Sequence, residues 1–244
     1  MHLAIFITNT DASNFASKWP GDGKKFNELV HSVRSEWTTE VFQVKDNMFP
    51  KNLLDFDGFI IGGSPASVHN DFPWIDTLLE IIRDIQTLGK PIFGACFGHQ
   101  AIALALDGEV NKNPLGWGHG LIKNEIVNQP PWAEKKILED FSLYASHSEQ
   151  VTRLPENAII VAKTRNCFVS SFIIGTNIFT TQHHPEMSTE FFKALLKEMR
   201  DYIGFSETEK ALDSLKRKPD NRTFAEELAS FFEWSQHQSL GNNT

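Results

Sequence analysis

The segment Gly94-Ala95-Cys96-Phe97-Gly98 places a thiol between two glycines. It lies between a short apolar run, which is typical of a buried strand, and a segment that favours a helix. A cysteine at such a turn would be lifted above the edge of a sheet, as in a nucleophile elbow. The positive end of the following helix favours the thiolate, which is the attacking form. The alternative interpretation is an inert buried cysteine in a glycine-rich turn, and this motif alone does not decide between the two.

A second segment, Gln-His-His-Pro-Glu at 182–186, follows an apolar strand and brings a carboxylate near an imidazole. Side chains two residues apart in extended chain point the same way, so Glu186 can orient His184 and stabilise its protonated form. Cys96, His184 and Glu186 would then be the nucleophile, the general acid–base and the orienting carboxylate. His183 is the alternative base, and we choose His184 because it directly precedes Pro-Glu. Taken alone, the segment is better explained as the polar end of an edge strand, and only the pairing with the Cys96 motif favours catalysis.

Alternating strand and helix patterns must position these groups. Their β-α-β-β-α-β-α order predicts an α/β fold with a mainly parallel, doubly wound sheet and helices on both faces. Right-handed crossovers place the loops that follow the strands along one edge of that sheet. The predicted strands are Leu3–Ile7, Val41–Val44, Phe56–Ile61 and Pro91–Phe93, and the predicted helices are Asp22–Val33, Trp74–Leu88 and His99–Leu106. The polar stretch 21–25 overlaps the start of the first predicted helix. We interpret it as a solvated turn.

Strand patterns without long helices fill residues 109–181, which favours antiparallel additions to the sheet. A helix over Ser188–Tyr202 follows, then a polar stretch from Gly204 to Arg222, then a helix over Phe224–Trp234. We therefore expect a main domain at residues 1–204 and a C-terminal helical appendage, 205–244, docked on it. The predicted additional strands are Gly120–Val127, Leu143–Ala145, Ile159–Lys163, Phe168–Ile174 and Ile178–Thr181.

Composition and charge exclude some classes of binding partner and favour one cellular compartment. The 244 residues carry a net charge of −8, which argues against non-specific binding of nucleic acid and against anionic membranes. No apolar run approaches the roughly 20 residues of a bilayer span, and we identify no signal peptide. Two cysteines do not make a disulfide scaffold, so we expect a cytoplasmic protein. The adjacent pair at 183–184 lacks further ligands at metal-binding spacing, so no metal is predicted.

Taken together, Cys96-Phe97-Gly98-His99-Gln100 and the Gln-x-His-Pro-Glu pattern at 182–186 resemble the paired motifs of class I (triad) glutamine amidotransferases. Further segments resemble that family: Gly62-Gly63-Ser64-Pro65-Ala66-Ser67 is similar to its glycine-rich loop, and Gly116-Trp117-Gly118 and Ser146–Val151 match two others. The resemblance covers about residues 1–203 and is to stand-alone members similar to the amidotransferase domain of GMP synthetase. It implies a flavodoxin-like sheet.

The resemblance also implies roles for individual residues. The Cys96 thiolate would attack the side-chain amide of glutamine, and His184 would protonate the departing ammonia and then activate water. The backbone N–H groups of Gly63 and Phe97 would form the oxyanion hole. No cofactor is implied. The residues implied to hold the substrate are Gln100, Gly62, Gly116, Trp117, Gly118, Ser146, His147 and Ser148.

Three functions remain open at this level. The first is hydrolysis of L-glutamine through a Cys96 thioester, with the ammonia passed to a synthetase. Residues 205–244 are too few for a synthetase and contain no ATP-binding motif, so that partner would be another chain. The second is hydrolysis of γ-glutamyl peptides by the same groups, which an open pocket near Pro65–Phe72 and Asn113–Gly120 would favour. The third is a non-catalytic regulatory subunit, which the intact Cys-His-Glu set disfavours.

Overall fold

The computed structural model describes residues 1–133 and 140–241, and this part of the chain forms eleven strands and seven α-helices. The strands are β1 (His2–Phe6), β2 (Thr38–Phe42), β3 (Gly58–Ile61), β4 (Ile92–Ala95), β5 (Glu109–Lys112), β6 (Gly118–Ile126), β7 (Phe141–His147), β8 (Glu149–Arg153), β9 (Ala158–Lys163), β10 (Ser171–Ile174) and β11 (Ile178–Thr181). The helices are α1 (Asp22–His31), α2 (Pro73–Thr87), α3 (Phe97–Ala105), α4 (Thr189–Glu198), α5 (Arg200–Ile203), α6 (Phe205–Ser214) and α7 (Asn221–Gly241).

Nine of the described strands form one sheet in the order β2-β1-β3-β4-β11-β10-β9-β6-β7. The strands from β2 to β11 in this order are parallel. From β11 to β7 the neighbours are antiparallel. The predicted fold class is confirmed: the sheet is parallel at its core, carries antiparallel additions and is flanked by helices. Because β3, β4 and β11 are adjacent and parallel, the loops after them meet at one edge.

Both faces of the sheet are covered, and β1 shows how. Its successive side chains point to opposite faces. Leu3 and Ile5 lie in one apolar cluster with residues of α1 and α7, whereas Ala4 and Phe6 lie in a second cluster with residues of α2 and α3. All four are completely buried. A strand buried on both sides is apolar throughout, which is why these strands are recognisable from sequence as continuous apolar runs.

The sequence analysis missed a separate two-stranded sheet of β5 and β8. Both strands are short and mostly polar, and Val110 is the one buried residue of β5. It lies opposite Val151 of β8 in the antiparallel register. A single inward-facing apolar residue gives no alternation from which a strand can be predicted.

The helices after residue 188 differ from the prediction. Instead of one helix to Tyr202, α4 ends at Glu198 and a separate turn of helix, α5, follows. The polar stretch after Gly204 is not irregular, because it contains α6. In α6, Ala211 is buried, and the Ser214 hydroxyl accepts a hydrogen bond from the Leu121 N–H at 2.8 Å. Packing on β6 therefore supports a helix that its own sequence marks only weakly.

The described residues of the predicted C-terminal appendage, 205–244, contribute to two apolar clusters, and Ala211 of α6 is buried in one of them with Leu121 of β6. Phe224, Leu228 and Phe232 of α7 are buried in the same cluster as Leu3 of β1. The last three residues of the predicted segment lie outside the described part of the chain. The boundary after residue 204 stays a prediction.

Within the described part of the chain, no helix combines the length and the apolar character needed to cross a bilayer. Cys96 and Cys167 are both buried and free.

Candidate active site

Cys96 lies at the turn between β4 and α3, with a backbone conformation (φ 52°, ψ −102°) that side-chain-bearing residues rarely adopt. Such a conformation costs about 1–3 kcal/mol and persists only where neighbours hold it. The Cys96 N–H donates to the Thr181 carbonyl at 2.9 Å. A Cβ on Gly98 would collide with the Ile61 carbonyl, and one on Gly94 would collide with the Gly98 backbone. Only glycine fits on either side, so this is the geometry of a nucleophile elbow.

The end of β11 brings His184 and Glu186 to Cys96. Because β11 pairs with β4, the segment that follows it emerges beside the elbow. The His184 N–H donates to the Tyr144 carbonyl at 2.8 Å, which fixes the backbone. The His184 Nδ1 atom lies 2.7 Å from Glu186 Oε1, and His184 lines the same cleft as Cys96, close enough for the sulfur to act on the charge of the imidazole. Cys96, His184 and Glu186 are therefore arranged in one chain of contacts.

The charge state of His184 follows from these neighbours. Burial lowers the pKa of the imidazole, but the Glu186 carboxylate and the Cys96 sulfur outweigh burial and hold that pKa well above its usual 6.5. At neutral pH the imidazolium is therefore the stable form. A protonated imidazole beside the Cys96 sulfur can give its proton to a leaving group, so the pair is arranged for attack by sulfur and protonation by nitrogen.

His183, the alternative base, is in a different environment. It is completely buried, and neither ring nitrogen has a hydrogen-bond partner among the described residues. Burial, together with the neighbouring imidazoles of His147 and His184, lowers its pKa well below the usual value. A neutral ring without polar contacts is not arranged to transfer a proton, so the geometry favours His184 over His183.

The glycine loop after β3 lies against both reactive groups. A Cβ on Gly63 would be 2.7 Å from His184 Cε1 and 3.6 Å from Cys96 Cβ. The absence of a side chain at Gly63 is therefore what allows the loop to approach the site. Phe97, the other predicted oxyanion residue, is the first residue of α3. The first N–H groups of a helix have no acceptor within it and are available to an anion.

Thr8 fixes the orientation of this loop, and the sequence analysis did not identify it. The Thr8 hydroxyl is fully buried and lies 3.1 Å from the Gly62 carbonyl and 2.9 Å from the Gly63 carbonyl. The Gly62 carbonyl also accepts from the Gly98 N–H at 3.1 Å. In a trans peptide the C=O and the next N–H point in opposite directions. Holding the Gly62 carbonyl therefore also fixes the direction of the Gly63 N–H.

Of the residues predicted to hold the substrate, Trp117, Ser146 and Ser148 line the same cleft as Cys96 and His184. They come from the loop before β6, from β7 and from the turn that follows β7. The structure thus brings two separate segments, one at Trp117 and one at 146–148, to the cleft that contains Cys96 and His184.

Gln100 lies beneath the cleft and acts on the site through another residue. Its side-chain amide donates to the Glu149 carbonyl at 2.9 Å and to Gln182 Oε1 at 3.1 Å. Gln182 in turn points its amide nitrogen at the Cys96 sulfur, 3.8 Å away. Gln182 was part of the recognised motif but had no predicted role. It is the nearer of the two amides to the thiol.

The other predicted substrate residues are structural in the present arrangement. The His147 Nδ1 atom pairs with the Glu149 carbonyl at 2.9 Å, and a Cβ on Gly118 would collide with the His147 ring. Gly116 occupies a turn with φ +84°. Gly62 contributes its carbonyl to the contacts described above. Their contact with substrate stays a prediction.

Three buried imidazoles beneath the site lead to a prediction about acid stability. Burial is the main cause that lowers the pKa of His99 to about 3, of His147 to about 4 and of His183 well below 6.5. In the unfolded chain each would bind a proton near pH 6.5. The stability that these groups contribute is therefore complete above pH 6.5 and is lost as the pH falls towards the folded values.

We expect the free energy of unfolding to decrease below pH 6.5 by up to about 1.4 kcal/mol per pH unit for each of these imidazoles. His184 does not cancel the loss, because a raised pKa makes its own contribution complete below 6.5. Urea unfolding between about pH 7 and about pH 5 measures the slope. A free energy that stays constant over this range would contradict the burial of neutral imidazoles.

The cleft itself has a volume of about 770 Å³ and extends from Cys96 to the N-terminal end of α1. There the structure corrects an expectation, because 21–25 is not a solvated turn. Asp22 begins α1, and Lys25 is buried with its Nζ atom 2.9 Å from Asp22 Oδ1. The ring of Phe191, from the first turn of α4, covers the Lys25 ammonium. This packing is long-range, so no local sequence signal could have predicted it.

Cys167 lies in an environment that makes a cysteine inert. It is buried, its thiol donates to the Val169 carbonyl, and burial raises its pKa to about 12. It therefore provides a natural control for Cys96. Among the described residues, no group of three or more His, Cys, Asp or Glu side chains is arranged to hold a metal ion.

Comparison with known proteins identifies the family. The family model for class I glutamine amidotransferases matches residues 23–199. The chain belongs to the class I glutamine amidotransferase family. This confirms the family and the enzyme class predicted from the motifs, namely enzymes that act on γ-glutamyl amide bonds.

Individual relatives of this chain carry two kinds of name. γ-Glutamyl peptidase 3 of Arabidopsis thaliana is 32% identical over 198 residues, which cover 77% of this chain and 78% of the peptidase. A glutamine-hydrolysing GMP synthase of Petrotoga mobilis is 36% identical over 162 residues, which cover 65% of this chain and 30% of the synthase. The crystal structure of a glutamine amidotransferase from Thermotoga maritima superposes with a TM-score of 0.76 at 15% identity, covering 96% of this chain and 97% of that one. This last similarity concerns the fold alone.

Proposed function

We propose that the protein hydrolyses the γ-glutamyl amide bond of small γ-glutamyl peptides. The observation that carries the proposal is the open cleft of about 770 Å³ beside Cys96 and His184. Pockets of about 300–1,000 Å³ accommodate drug-sized ligands, whereas a single amino acid is much smaller. The similarity to a plant γ-glutamyl peptidase over about three quarters of both chains supports the same substrate class.

The proposed reaction begins when the Cys96 thiolate attacks the γ-carbonyl carbon and forms a C–S bond. The developing oxyanion accepts hydrogen bonds from the Gly63 and Phe97 N–H groups. The C–N bond then breaks, and the departing amine takes the proton of the His184 imidazolium. The neutral imidazole next removes a proton from water, whose oxygen attacks the thioester. Glutamate leaves, and the thiolate and imidazolium are restored, with Glu186 stabilising the imidazolium.

Hydrolysis of L-glutamine, with ammonia passed to a synthetase on another chain, is the second candidate. It uses the same groups, with ammonia as the leaving amine. The similarity to the glutamine-hydrolysing GMP synthase supports it, and 65% of this chain takes part in that match. We place it second because ammonia leaves most of the cleft beyond His184 unoccupied. We further propose a cytoplasmic setting and a main domain that ends near residue 204.

Steady-state hydrolysis by the full chain distinguishes the two candidates. The substrates are a γ-glutamyl dipeptide, the α-linked glutamyl dipeptide of the same composition, and L-glutamine. We expect kcat/KM to be at least about tenfold higher for the γ-dipeptide than for glutamine, a difference of about 1.4 kcal/mol. The α-linked dipeptide is expected to be inert. A preference for glutamine would overturn the peptidase proposal and support the second candidate.

A further inference from the structure

The cleft that contains His184 is also lined by a buried ion pair and a group of aromatic rings. We name this set of side chains the Lys25 subsite, and it is formed by Phe15, Trp19, Asp22, Lys25 and Phe191. The Lys25 and Asp22 side chains are each only 9% exposed. The Lys25 Nζ atom lies 3.6 Å from the centroid of the Phe191 ring, which is 5.5 Å from the Trp19 ring and 6.0 Å from the Phe15 ring. All five residues line the cleft.

The ion pair has capacity for a further anion. An ammonium has three N–H donors, and the bond to Asp22 Oδ1 uses one of them. The second oxygen of Asp22 already accepts from the Asn9 side chain at 2.8 Å. The Asp22 carboxylate therefore divides its hydrogen bonds between Lys25 and Asn9. A substrate carboxylate reaching Lys25 through the cleft would form a charge-assisted hydrogen bond in a largely desolvated setting.

The position of the subsite relative to the reaction assigns it to one part of the substrate. The leaving nitrogen must lie at His184, which donates its proton. Glu186, Met187 and Phe191, which follow His184 along the chain, also line the cleft. Trp117, Ser146 and Ser148 instead lie at or beside β6 and β7, at the antiparallel end of the sheet. The Lys25 subsite is thus on the leaving-group side.

We propose that the Lys25 subsite binds the amino acid released from a γ-glutamyl dipeptide, with its free α-carboxylate on Lys25 and an aromatic side chain against Phe15, Trp19 and Phe191. This inference rests on the proposed peptidase function. The rings of Phe15, Trp19 and Phe191 would attract an aromatic side chain of the substrate, since aromatic rings attract one another at centroid distances of about 4.5–7 Å. The substrate class is γ-glutamyl dipeptides with an aromatic C-terminal residue.

The test compares γ-glutamyl-phenylalanine with γ-glutamyl-phenylalanine amide, which lacks the carboxylate. In the wild-type protein we expect kcat/KM to be about tenfold higher for the acid than for the amide, mainly through KM, as for one charge-assisted hydrogen bond. In Lys25→Met this ratio is expected to fall to about one. Lys193→Met, an exposed lysine of α4 away from the cleft, is the matched control and should keep the wild-type ratio.

The Lys25→Met substitution alone could unfold the protein, because it leaves Asp22 as a buried unpaired charge. The double variant Asp22→Asn/Lys25→Met removes both charges, and thermal unfolding verifies its fold. A folded double variant that keeps the wild-type acid-to-amide ratio would overturn the subsite. If the wild-type protein hydrolyses γ-glutamyl-phenylalanine with no preference for the acid, the subsite fails and the peptidase function stands. If it hydrolyses no γ-glutamyl dipeptide, both proposals fail.

Discussion

Replacing Cys96 with alanine is expected to lower kcat for γ-glutamyl hydrolysis by about 10⁴-fold or more while the protein stays folded. The reaction as proposed proceeds only through a bond to the Cys96 sulfur, and losses of this order follow removal of a nucleophile from a working triad. Release of the amine, measured with excess enzyme over hours, checks the residual rate. Thermal unfolding of the variant checks the fold.

Cys167→Ala is the matched control for this experiment. Cys167 is the second buried cysteine, and its raised pKa keeps it a thiol at neutral pH. We expect hydrolysis by this variant at close to the wild-type rate at temperatures where it is folded. If Cys96→Ala retained turnover and Cys167→Ala lost it, the assignment of the nucleophile would be wrong.

Replacing Glu186 with glutamine is expected to lower kcat/KM by roughly 10²- to 10⁴-fold and to change the pH profile. Glutamine keeps the size of the side chain but removes the charge that holds the pKa of His184 well above 6.5. In the wild type His184 stays protonated to alkaline pH, and activity falls as the pH rises through that elevated value. Without the carboxylate the imidazole loses its proton at lower pH. The alkaline limb of the profile should therefore move to lower pH.

The pH dependence of kcat/KM for wild type and variant measures this shift, because it reports the free enzyme. Glu190→Gln is the matched control, since Glu190 is an exposed carboxylate four residues along the chain that does not line the cleft. It should leave the profile unchanged. An alkaline limb that stays in place in Glu186→Gln would show that this carboxylate does not set the proton affinity of His184.

The reactive groups could be predicted because each depends on a short local pattern. Glycines that flank Cys96 within two residues are required by the tight turn at the elbow. His184 and Glu186 are two residues apart, and that spacing alone places them on one side of an extended chain. The order of strands and helices then determines that both segments reach the same edge of the sheet.

The supporting contacts could not be predicted, because they join residues that are far apart and common in type. Thr8 lies just after β1 and has no distinctive sequence context, yet its hydroxyl holds a loop more than fifty residues away. The sequence around Lys25 predicts a solvated lysine, whereas in the structure the Phe191 ring covers its ammonium. Tertiary packing overrides local polarity at both positions. The weak strands β5 and β8 were missed for a related reason, since each depends on its partner more than on its own sequence.

The most direct test of the central claim is covalent labelling with a diazo-ketone analogue of glutamine, which alkylates an activated nucleophile held at the γ-carbonyl position. Peptide mass mapping locates the label, and residual hydrolysis of a γ-glutamyl dipeptide is followed in the same samples. The account predicts one label per chain on Cys96, none on Cys167, and loss of activity in proportion to labelling. Full inactivation with the label on another residue, or unchanged hydrolysis by protein labelled at Cys96, would contradict it.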